Sequence, residues 1–234
     1  MTTSSTDKVI FHYVIPGYAA LGGPLRFLLD DSGVDYEFDL IEWNDFVTKV
    51  KYQWIASGYP FDQAPMIEYK GKRYSGNMPI MRFLSKKFGK YVPADEDLEQ
   101  FVDCTLDAAM DWNRARYNHI IRGKDGIEEY ENEHLDVFFS RFERVYNYHD
   151  DGPFAAGQEV GTRCACNMYM ALTSCCIQIT YADFYVFFVI NLPLHRKRIK
   201  NYPKLAKFAK IMYARKSLQA GIAYMETLPH PKDS

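Results

Sequence analysis

The chain has 234 residues, 47% of them hydrophobic and 25% charged, and carries a formal net charge of −2. That length can bury a full core in one large domain or two small ones, and the near-neutral balance excludes the basic field on which nucleic-acid binding draws. The longest apolar run, "YADFYVFFVINLPL", is broken by Asp183, Asn191 and Pro193 and is too short to span a bilayer, so it reads as a buried helix and no membrane association is expected.

From the N-terminus, "MTTSSTDKVIF" lacks the long apolar stretch of a secretory signal. "KVIFHYVI" is rich in β-branched and aromatic residues and predicts a strand. "PGYAALGG" is a loop, and "PLRFLLDDSG" predicts a short helix that stops at Gly33. "DYEFDLIEW" predicts a second strand, after which "NDFVTKVKYQWIASGY" reads as irregular. "APMIEY-KG-KRYS" predicts a hairpin, and "NMPIMRFLSKKFG" a helix ending at Gly89. The linker is "KYVPADED". Beyond it the pattern is wholly helical. Leu98, Val102, Leu106 and Ala109 share one helical face with Phe101 and Thr105 beside them, and Leu135, Phe138, Phe139 and Phe142 mark the next helix. "TYADFYVFFVINLPL" and "KLAKFAKIMYARKSLQAGIAYM" close the chain. The predicted fold class is an α/β N-terminal domain of βαβ-ββα order over residues 1–90, followed by an all-α domain over 91–234.

Five cysteines are present, four of them within Cys164–Cys176, while Cys104 stands apart. A disulfide framework would spread its cysteines, so a reducing, cytoplasmic setting is expected. The crowded run lacks C-x₂-C spacing and a histidine partner, and no metal site is expected there or elsewhere. "TYADF" predicts a helix cap in which Thr180 is the N-cap and Asp183 reaches back to its N–H, a structural rather than chemical element.

Several stretches carry a resemblance: "FHYVIPG…LRFLLDDSGVDYE", "SGYPFDQAPMIE…GKRYSGNMPIMRFLSKKFGKY", "FVDCTLDAAMDWN", "GPFAAGQ" and "ITYADF". In this order and at these spacings the chain resembles the cytosolic glutathione S-transferases, closest to sigma-type and related fungal members. The resemblance implies a thioredoxin-like N-terminal domain that binds glutathione, a helical domain that closes the substrate pocket, a hydrophobic electrophilic substrate, and a homodimer. It implies no metal or organic cofactor, with glutathione acting as co-substrate.

The resemblance also implies site residues. Tyr13, at the end of the first strand, matches the tyrosine that donates its phenolic proton to the thiolate; Tyr18 in the loop beyond is an alternative. A thiol of pKa about 8.5 must be lowered by about two units, or about 3 kcal/mol, to be mostly ionised near pH 7. One or two hydrogen bonds to the charged sulfur, each worth roughly 1.5–3 kcal/mol, suffice. Pro65 matches a cis-proline that aims the backbone of Ala64 at the cysteinyl group. Gly76 and Asn77 stand at the turn where a helix N-terminus takes the γ-glutamyl carboxylate. The family usually reads Gln-Ser there, so a backbone cradle remains while Asn77 caps the helix. Trp43 matches an indole that packs on the peptide. Lys51, or else Lys49, meets the glycine carboxylate, and Asp107 matches an acid that reaches the α-amino group in the partner's site. His12 alternates to the opposite face of the strand from Tyr13. The substrate pocket is expected to draw on Trp112, Arg116 and Tyr117.

Members of the family run almost directly from "GPF" and its glycine into "ITYADF". Here Val160–Gln178 intervenes, with four cysteines and one charge, Arg163. Val can open on GT and Gln can close on AG, and Leu172-Thr173 can spell a branch point. The segment therefore reads as retained or mispredicted intronic sequence, the alternative being a surface insertion of low entropic cost.

Overall fold

A computed structural model describes residues 8–14, 20–149, 152–157 and 179–231. Tyr18 and the whole of Val160–Gln178 lie outside these residues. Two compact units emerge, one formed by Met1–Lys90 with Lys216–Leu228 and the other by Tyr91–Arg215 with Pro229–Ser234. The first unit thus takes in a segment from near the chain's end, beyond the break at residue 90 drawn from the sequence.

The first unit is built on a four-stranded sheet of order β2-β1-β3-β4. Its strands are β1 (Val9–Val14), β2 (Tyr36–Ile41), β3 (Met66–Tyr69) and β4 (Lys72–Ser75). β1 and β2 run parallel, joined through α1 (Gly23–Ser32), whereas β3 and β4 are antiparallel to their neighbours. Alternation along β1 buries Val9, Phe11 and Tyr13 on one face and turns His12 to the other. Fully buried side chains on that first face and on the helices of the unit include Phe27, Leu28, Met81 and Leu84. Each such side chain contributes roughly 1.5–3 kcal/mol of burial. The hairpin turns on Lys70 and Gly71, both at positive φ, as a two-residue turn of matching twist requires. α1 ends on Gly33 and α4 (Asn77–Phe88) on Gly89, each a left-handed cap.

One stretch departs from expectation. The segment after β2 is helical rather than irregular, passing through α2 (Trp43–Asp45), a π-helical turn (Phe46–Val50) and α3 (Lys51–Ala56). Phe46 and Trp54 are its buried anchors, with Val50 half-buried between them at helical spacing. Trp54 stacks edge-on against His12 and so covers the second face of the sheet.

The second unit is all helical: α5 (Glu96–Ile120), α6 (Gly123–Glu129), a π-helical turn (Tyr130–His134), α7 (Leu135–Tyr148), α8 (Tyr181–Ile190) and α9 (Pro203–Tyr213). α10 (Gln219–Thr227) belongs to the first unit. Asp95 caps α5 by accepting the Leu98 N–H at 2.9 Å. Every residue of α8 is buried, which explains why its sequence shows no polar face. The Asp183 carboxylate, itself fully buried, accepts the Thr180 N–H (2.7 Å) and hydroxyl (2.8 Å) on one oxygen. Its other oxygen accepts the Tyr146 hydroxyl (2.9 Å) and the Ala155 N–H (3.1 Å). The cap predicted from "TYADF" is present, and it also ties α7 and the 152–157 segment to the start of α8.

Candidate active site

The sheet register gathers the ends of its strands. β1 pairs with β3 up to His12 opposite Met66, so the next step along the same register sets Tyr13 beside Pro65. β3 pairs with β4 up to Met66 opposite Ser75, and the next step is a hydrogen bond from the Gly76 N–H to the Pro65 carbonyl at 3.1 Å. Tyr13, Pro65 and Gly76 therefore lie in a row across one end of the sheet. The Ala64–Pro65 peptide is cis.

Gly76 occupies the N-cap of α4 with φ +89° and ψ 127°. A side chain at that φ would be strained, and a Cβ would also meet the Pro79 ring at 3.3 Å, which accounts for a glycine where a longer residue is usual. Asn77 is thus not the cap, in contrast to the sequence expectation. It is the first helical residue, buried, and its amide nitrogen donates to the Leu21 carbonyl. Its Oδ1 is buried with no partner among the described residues. The contact links the start of α4 to the start of α1.

Tyr13 is 3% exposed, its ring resting on Gly22. The nearby backbone of Gly22 and Leu21 favours the ionised form, yet burial outweighs it and pushes the phenol up to about 12. The group is therefore a neutral phenol near pH 7. A neutral phenol keeps a proton that it can donate.

Trp43 opens α2, two residues past the end of β2, with its indole 58% exposed and tilted against Phe46. Lys51 holds its ammonium over the Tyr52 ring, 5.0 Å from the centroid. Lys49 instead lines a cleft on the His12 face of the sheet, with Asp39, Gln53 and Trp54. There His12 Nδ1 meets Asp39 at 2.6 Å, while its Nε2 is buried with no hydrogen-bond partner among the described residues. Asp107 lies on the helical unit, exposed along α5. Its neighbour at i−4, Asp103, accepts the Tyr181 hydroxyl at 2.6 Å and is a packing residue.

The expected pocket role of Trp112 is overturned. Its side chain is fully buried and stacked among Phe138, Phe142 and His195. Its Nε1–H donates to the Tyr130 hydroxyl at 2.6 Å, and Tyr130 and His195 Nε2 are 2.9 Å apart. Arg116 is half-buried with its guanidinium on Asn113, and Tyr117 is exposed.

No family model matches the chain. In sequence it is similar to Glutathione S-transferase 2 of Manduca sexta, 26% identical over 135 residues, covering 52% of this chain and 59% of the moth protein. It is also similar to Glutathione S-transferase alpha-3 of Rattus norvegicus, 23% identical over 210 residues, covering 84% of this chain and 86% of the rat protein. The chain thus spans less than two thirds of the moth protein and most of the rat one. In structure it superposes on the Pi-class glutathione S-transferase of Onchocerca volvulus with a TM-score of 0.73 at 19% identity, covering 93% of both chains. The prostaglandin synthase D of Nilaparvata lugens gives 0.69 at 21% identity, covering 96% of this chain and 100% of that one. The fold is that of the glutathione S-transferases: a four-stranded mixed sheet with helices, followed by a helical domain.

Proposed function

We propose that this protein is a glutathione S-transferase that directs the glutathione thiolate onto small apolar electrophiles. The observation that carries the reading is the Tyr13 phenol, held neutral by burial at the same sheet end as the cis Ala64–Pro65 peptide and the start of α4. In the reaction, the bound thiol gives its proton to solvent, and the phenolic O–H donates to the resulting thiolate sulfur and keeps it ionised. The sulfur then forms the C–S bond at the electrophilic carbon while the leaving group departs with its electron pair. No metal or organic group enters this step.

Binding is assigned by chemistry. The Ala64 backbone pairs with the cysteinyl amide, and the N–H groups opening α4 take the γ-glutamyl carboxylate, since the helix dipole favours negative charge there. The exposed Trp43 indole packs on the peptide, and Lys51, with Lys49 as the alternative, meets the glycine carboxylate. Asp107 serves the α-amino group in the site of a second copy of the chain, so the working unit is a homodimer. The sequence resemblance to sigma-type and fungal members supports assigning it to that subgroup. No helix among the described residues is long and apolar enough to cross a membrane, in keeping with a cytoplasmic enzyme.

Replacing Tyr13 by Phe tests the reading. Losing one hydrogen bond to a charged sulfur, worth about 1.5–3 kcal/mol, lowers conjugation by roughly 10- to 150-fold. Glutathione affinity stays within a few fold, because the carboxylates are held elsewhere. A Phe variant at full rate, with a Tyr18→Phe variant disabled, would transfer the role to Tyr18. Retained glutathione binding without turnover in the parent protein would make it a ligand-binding relative instead.

A further inference from the structure

We propose that the helical unit carries a zinc-type divalent metal site formed by His119, Glu129 and His134. The three side chains come from the end of α5, the end of α6 and the end of the π-helical turn that follows. Nε2 of His119 lies 3.5 Å and Nε2 of His134 3.9 Å from the same Glu129 oxygen, Oε1. One ligand atom from each residue falls within 4.8 Å of the others. Tetrahedral zinc with bonds of about 2.0–2.2 Å sets its donor atoms about 3.3 Å apart, so small side-chain rotations close the set around one ion. Two imidazoles and a carboxylate leave a fourth position for water.

Proton placement points to a cation. His119 Nδ1 is 2.7 Å from the Ala115 carbonyl, an oxygen that can only accept, so Nδ1 carries the hydrogen. Nε2 is left facing the Glu129 carboxylate oxygen on which the second imidazole also converges. A proton on Nε2 or a metal ion can stand between them, and the convergence of two rings on one oxygen matches the donor set of an ion. A carbonyl that fixes the tautomer from behind is also the usual support of a metal-bound imidazole. Arg122 pairs with Glu129 through Oε2, with its second nitrogen 3.5 Å from Oε1. That pairing orients the carboxylate so that Oε1 is presented to both rings.

The backbone is shaped for this convergence. Along an ordinary α-helix, Glu129 and His134 would stand roughly 140° apart around the axis, on different faces. The intervening π-helical turn, Tyr130–His134, resets that angle, and such turns recur at functional positions. Gly126 lets α6 fold back on the end of α5: a Cβ there would fall 2.2 Å from the His119 carbonyl oxygen. Gly123, at φ +74°, makes the corner. None of these three ligands takes part in the conjugation reading above, so the two proposals stand separately.

The test uses the tag-free full chain, stripped with EDTA and with its cysteines alkylated so that thiols cannot compete. Titration against a chromogenic zinc chelator near neutral pH is expected to show one Zn²⁺ per chain with a Kd below about 1 µM. Co²⁺ substitution is expected to give a visible ligand-field band without sulfur-to-metal charge transfer. His134→Gln and Glu129→Gln, at side chains 41% and 37% exposed, are expected to fold as the parent does. Each is expected to weaken Zn²⁺ by at least about tenfold, with circular dichroism unchanged. No saturable binding, or variants that bind as the parent does, would leave only an imidazolium–carboxylate pair and overturn the site.

Discussion

His195 shows what a single buried side chain decides. Its Nδ1–H donates to the Val189 carbonyl at 2.6 Å, and its Nε2 takes the Tyr130 hydroxyl at 2.9 Å. Both nitrogens are used by the neutral ring, and burial first, then the Arg116 charge, lowers the group to about 3. Above about pH 6.5 the imidazole is neutral in folded and unfolded chains alike, so its contribution is fully present. As pH falls below that value the unfolded chain takes up a proton that the folded one refuses, and stability falls by up to about 1.4 kcal/mol per pH unit until the folded group titrates. Asp183 runs the other way: burial raises its carboxyl, so acid favours its folded form, but only toward the carboxylate range. Urea unfolding of the parent at pH 6 and pH 5 is therefore expected to differ by about 1 kcal/mol more than in His195→Gln. Equal slopes would mean that the ring is not held neutral. The sequence did not reveal this network. The resemblance placed Trp112 at a pocket wall, and His195 lies far along the chain. Only the packing of α8 brings Trp112, Tyr130 and His195 together. Tyr13, Pro65 and Gly76 came from the resemblance; what was legible locally was a strand end, a proline before a strand and a turn before a helix, and the sheet register sets these three in a row.

Among the elements, α1 has the tightest tie to the candidate site. Gly22, its N-cap, has an ordinary φ of −74°, so backbone strain does not demand a glycine. Space does. A Cβ would stand 2.6–2.8 Å from three atoms of the Tyr13 ring, in the interior of a buried aromatic rather than at a flexible tip. Gly22→Ala must therefore push the ring off its seat or shift the start of α1. Overpacking of this kind costs about 1–3 kcal/mol. The variant is expected to unfold at lower urea and to conjugate more slowly than the parent, even though the phenol itself is intact. A variant with parental rate and midpoint would show that the ring has room to spare. The helical stretch from Trp43 to Ala56 was misread for a related reason. Its spacing of Phe46, Val50 and Trp54 is helical, but the π-helical turn and the polar residues between blur the period over so short a span. By contrast the capped helices α1, α4 and α8 were legible, since a cap marks a boundary whatever the packing behind it.

For the whole molecule, the open question raised by the sequence is Val160–Gln178. The residues on either side of it are fastened to one another. Ala155 donates its N–H to Asp183 at 3.1 Å, Phe154 packs on Phe208, and Ile179 and Thr180 are buried at the mouth of α8. The described residues that flank it, Ala155 on one side and Thr180 on the other, thus already meet at the Asp183 carboxylate, within the helical unit. Removing Val160–Gln178 leaves "GPFAAGQEITYADF", a short loop running from the 152–157 segment straight into the Thr180 cap. Closing a shorter loop lowers the entropic cost slightly, about 0.6 kcal/mol for each halving of length. It also removes four of the five thiols, and with them the route to crosslinking in air. The deletion variant is expected to fold, to unfold at equal or higher urea concentration, and to keep the parental affinity for glutathione. Loss of cooperative unfolding on deletion would show that the segment belongs to the core, and would end its reading as intronic sequence.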